Sequence, residues 1–203
     1  MNVSAVPNAA LGVRCDLRYR VAIIAASAGG LSALAAVLGS LPADFPLPIV
    51  IVQHLDPHHN SQMAAILGRR TCLRVKEATQ DDVLTAGIVY VAPPDFHAEF
   101  LGGAIVLTHT PPVHFSRPSA DRSFLSGAQQ GRVIGVVLSG AGVDGAAGVV
   151  AIKAAGGVVI AQDEATADHF GMPQAAIETG AVEYVLPLGE IGPALTELAR
   201  TVE

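Results

Sequence analysis

Three polar residues stand at or just beyond the ends of apolar runs: Ser27 follows VAIIAA (21–26), His54 follows PIVIVQ (48–53), and Asp144 lies in SGAGVDGAAG (139–148) beyond RVIGVVLS (132–139). These are the residue types of a nucleophile, its base and the group that orients the base. A serine hydroxyl attacks only when an imidazole removes its proton, and a carboxylate on the other ring nitrogen fixes the tautomer and stabilises the imidazolium. The turn Ser27-Ala28-Gly29-Gly30 places small residues where backbone approaches substrate, and the helix N-terminus beyond it aims amides at developing negative charge. The Ala28 N–H is the natural oxyanion donor. Singly, each residue has a plainer reading: Ser27 as a helix cap or part of a phosphate-binding turn, His54 as a surface histidine, Asp144 as a turn residue or the cap of the next helix. Their shared placement sets them apart, because ligands of open parallel sheets bind outside the carboxyl ends of the strands.

The elements that must position them follow from the pattern of apolar runs. VAIIAA, PIVIVQ, RVIGVVLS and GVVIAQ (157–162) are continuous rather than alternating, as strands covered on both faces should be. Between them LSALAAVLGSL (31–41), NSQMAAILGRR (60–70), AAGVVAIKAAG (146–156) and PQAAIETG (173–180) are Ala-rich and end at or near Gly or Arg, as helices do. The order β-α-β-α predicts a single α/β domain with a doubly wound, mainly parallel sheet flanked by helices. Within 82–109, GIVYVAP and GGAIVLTH are separated by a turn region containing Gly102 and Gly103, which predicts an antiparallel hairpin at one edge.

Composition narrows the function. At 203 residues and 51% apolar, the chain is long enough to bury one core. A net charge of −6 with 15% charged residues provides no basic footprint for nucleic acid. Mean hydropathy is +0.47, yet every apolar run is broken before a spanning length, so no membrane insertion is expected. Cys15 and Cys72 form neither a disulfide framework nor a zinc ligand spacing, which fits a reducing cytosol. The first twenty residues lack the pattern of a secretory signal. In QHLDPHHN, His54, Asp56, His58 and His59 crowd like metal ligands, but their order departs from metallo-hydrolase runs, and His58 and His59 are read as structural. AASAGG lacks the three-glycine dinucleotide fingerprint. His97, His109, His114 and His169 have no spacing that implies a joint site.

Six ordered strings carry a resemblance: ASAGG (26–30), VQHLDP (52–57), VKEATQDDVLTAGIVYVAPPDFH (75–97), RPSAD (117–121), LSGAGVDGAAG (138–148) and the stretch from AQDEAT to FGMP (161–173). Over about residues 20–200 the sequence resembles the catalytic domain of the chemotaxis protein-glutamate methylesterases, the CheB type. The resemblance implies a doubly wound parallel α/β domain with no metal or organic cofactor. It further implies a cytoplasmic hydrolase that removes methyl esters from glutamate side chains on the cytoplasmic helices of methylated chemoreceptors, and in some members deamidates receptor glutamines. The family's catalytic serine, histidine and aspartate match Ser27, His54 and Asp144.

Three departures bear on rate. The family usually has Gly at Ala25, Thr at Ala28 and Met at Ala141, the last implicated with the backbone in oxyanion stabilisation. The backbone amides of Ala28 and Ala141 are therefore the expected donors. Arg117, Asp121 and Met172 fall in family strings near the site edge, where substrate contact competes with packing or loop-fixing. Known members also carry an N-terminal receiver domain, which a leader of this length cannot form. Residues 1–19 are read as a flexible tail and 20–203 as the catalytic domain, excised or stand-alone, the latter controlled by a separate regulatory protein, by substrate docking, or not at all. Two other readings share the scaffold: a weakly active receptor-binding module and a general small-ester hydrolase or amidase.

Overall fold

A computed structural model describes residues 17–54 and 61–202. Nine strands and six helices follow in the order β1 (Ala22–Ala26), α1 (Gly30–Gly39), β2 (Ile49–Gln53), α2 (Met63–Gly68), β3 (Arg74–Glu77), β4 (Ile88–Val91), β5 (His97–Leu101), β6 (Ala104–Thr108), α3 (Ala120–Gln129), β7 (Ile134–Val137), α4 (Ala146–Ala154), β8 (Val158–Gln162), α5 (Gly171–Glu178), β9 (Tyr184–Leu186) and α6 (Leu188–Ala199). Seven strands form one sheet in the order β3-β4-β2-β1-β7-β8-β9, every pair parallel.

Period-two alternation sends the residues of each central strand to two cores. From β1, Ala22, Ile24 and Ala26 pack in one core with Leu34 of α1 and Leu195 of α6. Ile23 and Ala25 face the other, with Phe124 of α3 and Val149 of α4. Both faces being covered explains why β1, β2 and β8 are buried at every residue. From β1 the chain steps to β2 on one side and later returns to β7 on the other, so strand order reverses at β1. A crevice opens at such a switch point, outside the carboxyl ends of the strands. Ser27 stands there.

The hairpin differs from the expected one. Ile88–Val91 runs parallel to β2 and β3 inside the main sheet, and the antiparallel partner of β6 is His97–Leu101, in a separate two-stranded sheet. IVYV is a continuous apolar run of the kind that belongs in a covered parallel strand. HAEFL carries a buried histidine and a partly buried glutamate that hide its strand character. Helix α3 was likewise not foreseen, because ADRSFLSGAQ is polar overall and buries only one stripe, including Asp121, Ser123 and Phe124. Within the stretch read as a tail, Leu17 bridges Val202, Arg18 N–H donates to the Thr201 carbonyl at 2.9 Å, and Tyr19 is buried. These residues belong to the domain.

Candidate active site

Ser27 is the first residue beyond β1. Its N–H donates to the Ser139 carbonyl at 3.0 Å, and its carbonyl accepts from Gly30 N–H and from Gln53 Nε2, each at 2.8 Å. Gly29, at φ 74°, caps α1 without any side-chain hydrogen bond, so Ser27 is not the cap. A Cβ on Gly29 would lie 2.7 Å from Ser139 Oγ and 2.8 Å from Asp168 Cβ, which reserves the position for glycine on both conformation and space.

His54 is the first residue beyond β2, its N–H donating to the Ala26 carbonyl at 3.1 Å. Gln53 Nε2 also donates to the His54 carbonyl at 3.1 Å, so one buried amide holds the backbones of both Ser27 and His54. The imidazole Nε2 lies 2.8 Å from Asp144 Oδ2. Its Nδ1 faces Ser116 Oγ at 3.4 Å, a long contact. Among the described residues, no hydrogen bond joins the Ser27 hydroxyl to the imidazole.

Asp144 is 2% exposed and does not cap the helix that follows it, whose N-cap is Gly145. Its carboxylate instead crowns α3. Besides His54 it accepts from Ser119 Oγ at 2.8 Å, Ala120 N–H at 2.7 Å and Asp121 N–H at 3.1 Å. Burial pushes its pKa up, but the hydrogen bonds from His54, Asp121, Ala120 and Ser119 outweigh this and hold it below the usual carboxylate value. The positive end of α3 acts in the same sense. Asp144 is therefore an anion in place before any chemistry begins.

Behind it stands His97, fully buried, whose Nδ1 accepts the Ser119 N–H at 3.1 Å while Nε2 meets the Pro111 carbonyl at 3.2 Å. Burial lowers its pKa against the opposing pull of the Pro111 carbonyl, so it is a neutral imidazole, as its accepting Nδ1 requires. A chain of contacts thus runs His97, Ser119, Asp144, His54.

The other sequence candidates fall around this core. Met172 is 1% exposed, and a Cβ on Gly140 would lie 2.3 Å from its Sδ and 2.9 Å from Ser27 Cβ, so Gly140 fills the narrow space between them. Asp121 is buried, accepting from Gly148 N–H at 2.7 Å and facing His114 Nε2 at 3.4 Å. Burial raises its pKa, opposed by the Gly148 bond. Arg117 is paired with Asp95 and donates to the Thr110 carbonyl at 2.9 Å, which fixes the loop before Ser119. The Ala28 carbonyl accepts from Ser139 Oγ at 2.8 Å, while Ala141 is exposed on the loop carrying Asp144. Among the described residues, no acceptor pairs with the Ala28 or Ala141 N–H. Asp56, His58 and His59 lie outside the described residues.

Sequence reasoning missed Gln53, Ser139, Gln162, Ser119, Ser116 and His97. Three of these carry the signal that found His54, a polar residue closing an apolar strand: Gln53 ends β2, Gln162 ends β8, and Ser139 follows β7. Gln162 Oε1 accepts the Ser139 N–H at 2.8 Å, and Ser139 Oγ accepts the His169 N–H at 3.0 Å. Ser27 thereby rests on a bonded frame drawn from the ends of β2, β7 and β8, on both sides of its own strand. A cavity of about 770 Å³ opens beside it between α1 and α2, bordered by Leu31, Ala35, Met63, Ile66 and Arg70.

Comparison with known proteins assigns the family. The CheB methylesterase family model matches residues 22–195. The chain belongs to the CheB methylesterase family. It is 48% identical over 185 residues to a protein-glutamate methylesterase/protein-glutamine glutaminase of Anaeromyxobacter dehalogenans, covering 90% of this chain and 54% of that protein. A Pyrococcus horikoshii protein of the same description is 45% identical over 197 residues, covering 94% of this chain and 54% of the relative. The chain thus spans about half the length of these curated relatives. The crystal structure of the Thermotoga maritima CheB methylesterase catalytic domain superposes with a TM-score of 0.84 at 36% identity, covering 89% of this chain and 98% of that one. The shared fold is the doubly wound parallel sheet described above.

Proposed function

We propose that this CheB-family domain hydrolyses methyl esters of glutamate side chains on chemoreceptors, with Ser27 as nucleophile, His54 as general base and acid, and Asp144 as the residue that orients His54. The observation that carries this is the His54–Asp144 pair at 2.8 Å, a partly buried histidine on a buried carboxylate, set one strand from Ser27 at the switch point of the sheet. With Nε2 engaged by Asp144, Nδ1 is the basic nitrogen. It takes the Ser27 proton as Oγ attacks the γ-carbonyl, then delivers it to departing methanol, and water completes hydrolysis of the acyl-enzyme by the same route reversed. The N–H groups of Ala28 and Ala141 supply the oxyanion contacts, and no metal or organic cofactor takes part. The names of the relatives support a second activity at the same site, deamidation of glutamine, in which ammonia leaves in place of methanol.

The substrate reading places the domain in the cytoplasm beside receptor helices. No helix among the described residues is long and apolar enough to cross a membrane.

The deciding experiment assays methanol release from methylated receptor by wild type and Ser27→Ala, with nitrophenyl acetate in parallel and phosphonate trapping of Ser27 in the same sample. Wild type releases methanol and forms the adduct, and Ser27→Ala does neither while keeping its fold. Full methanol release by Ser27→Ala sinks the mechanism. Nitrophenyl acetate hydrolysis without methanol release favours a general esterase, and receptor binding without either favours a binding module.

A further inference from the structure

Phe115 is fully exposed, at 105% of its reference area, although it sits at the rim of the site. Val113 and Ser116 exchange two backbone hydrogen bonds, at 3.1 and 2.8 Å, so His114 and Phe115 form the two-residue tip of a narrow hairpin. Both tip residues have positive φ, 48° and 63°. Such tips ordinarily take Asn and Gly, and a bulky aromatic residue adopts this backbone only at a cost. The ring recovers none of that cost by packing against its own chain.

Both chain neighbours of Phe115 contact residues of the proposed site. Ser116 Oγ faces His54 Nδ1 at 3.4 Å, and His114 Nε2 faces Asp121 Oδ2 at 3.4 Å, on the residue whose amide holds Asp144. A second exposed apolar side chain, Val143 at 51%, immediately precedes Asp144. In the methylesterase reading the reacting ester hangs from another protein, whose surface must lie within one side-chain length of Ser27 and hence against this rim. Charge provides little attraction there. The chain carries a net charge of −6, and the two cations next to the hairpin, Arg117 and Arg122, are already engaged by Asp95 and Glu99. Phe115 and Val143 are exposed apolar side chains that a protein substrate lying against this rim can contact.

We infer that Phe115 is a specificity-determining contact for the protein substrate, receiving an apolar side chain of the receptor segment that flanks the reacting glutamate. The inference rests on the methylesterase reading and adds the feature by which the site tells a protein substrate from a small ester. Its test is the KM and kcat for methanol release from intact methylated receptor by wild type, Phe115→Ala and Phe115→Leu, with nitrophenyl acetate turnover measured alongside. Phe115→Ala raises KM about tenfold or more, as for a truncated aromatic anchor, with kcat near wild type, and Phe115→Leu recovers most of the loss. Nitrophenyl acetate turnover follows wild type. An unchanged KM overturns the inference, and so does a parallel loss on nitrophenyl acetate, which would make the ring a prop for the hairpin. If wild type itself releases no methanol from receptor yet cleaves nitrophenyl acetate, the methylesterase reading fails and takes the inference with it, a result separate from any behaviour of Phe115.

Discussion

His54 Nε2 and Asp144 Oδ2 lie 2.8 Å apart, which in the proposed mechanism leaves Nδ1, the ring nitrogen nearer the backbone, to handle the proton. The imidazole is turned end for end relative to the serine-protease arrangement, where Nδ1 meets the carboxylate. The nucleophile must therefore approach close to the end of β2, as the neighbouring register of β1 and β2 provides. Asp144→Asn keeps the shape but offers an amide N–H where an acceptor is needed, favouring the wrong tautomer. Turnover of methylated receptor should fall by about 10⁴, and steady-state kinetics on variant protein with an unchanged circular dichroism spectrum checks it.

Ser119 has two tasks. Its hydroxyl donates to Asp144 and its oxygen is the N-cap acceptor for the Arg122 N–H at 3.5 Å. Ser119→Ala should cost about 1 kcal/mol of stability through the lost cap and lower kcat as well, because Asp144 loses one of the bonds that keep it anionic. Ser119→Thr should restore both. Urea unfolding and methanol-release kinetics on the same preparations separate the two effects.

His97 makes stability depend on pH. Burial holds its pKa below the usual imidazole value, so the unfolded chain binds a proton more readily than the folded one. Stability therefore rises with pH across this window: the contribution is complete above about pH 6.5, the ordinary imidazole value, and is lost as pH falls through the folded pKa. The physical event is that a protonated Nδ1 would point a donor at the Ser119 N–H. Urea midpoints measured downward from about pH 7.5 should decline in wild type and decline less in His97→Gln; equal slopes would show that another group carries the dependence.

Gly140→Ala tests the packing around Ser27. The added methyl would meet Met172 Sδ at 2.3 Å and Ser27 Cβ at 2.9 Å, so either the sulfur or the serine must move. Overpacking of this kind costs about 1–3 kcal/mol, and the displaced Ser27 should lower kcat. Met172→Ala in the same chain makes room, so the double variant should lose less than the sum of the two single variants, which a double-mutant cycle measures directly.

The fold was legible wherever burial on both faces produced continuous apolar strands. β1, β2, β7 and β8 stand close to where their runs of Val, Ile and Ala place them, and the helices between them differ by a few residues at their ends. Reading stopped where side chains serve two environments. His97–Leu101 is a strand holding a buried neutral histidine, and Ala120–Gln129 is a helix whose polar N-terminus is occupied by Asp144, a partner more than twenty residues away in sequence. No local pattern announces that pairing. The same holds for Ser116 and Phe115, which a loop with consecutive positive φ values brings to the rim. The positions of Ser27, His54 and Asp144 at or just beyond strand ends were legible because the end of a parallel strand is a place that sequence alone can mark.

The carboxylate that orients His54 also closes the N-terminus of α3, and this ties two kinds of selection to one side chain. A substitution that removes both oxygens of Asp144 would loosen a helix as well as, in the proposed mechanism, silence a base, so it would be purged even in a lineage that no longer needed turnover. The Ser27 hydroxyl, by contrast, has no partner among the described residues whose loss would weaken the fold. On the proposed mechanism, a descendant that kept the fold and abandoned hydrolysis should therefore be recognisable by a changed residue at the position of Ser27 beside an intact Asp144.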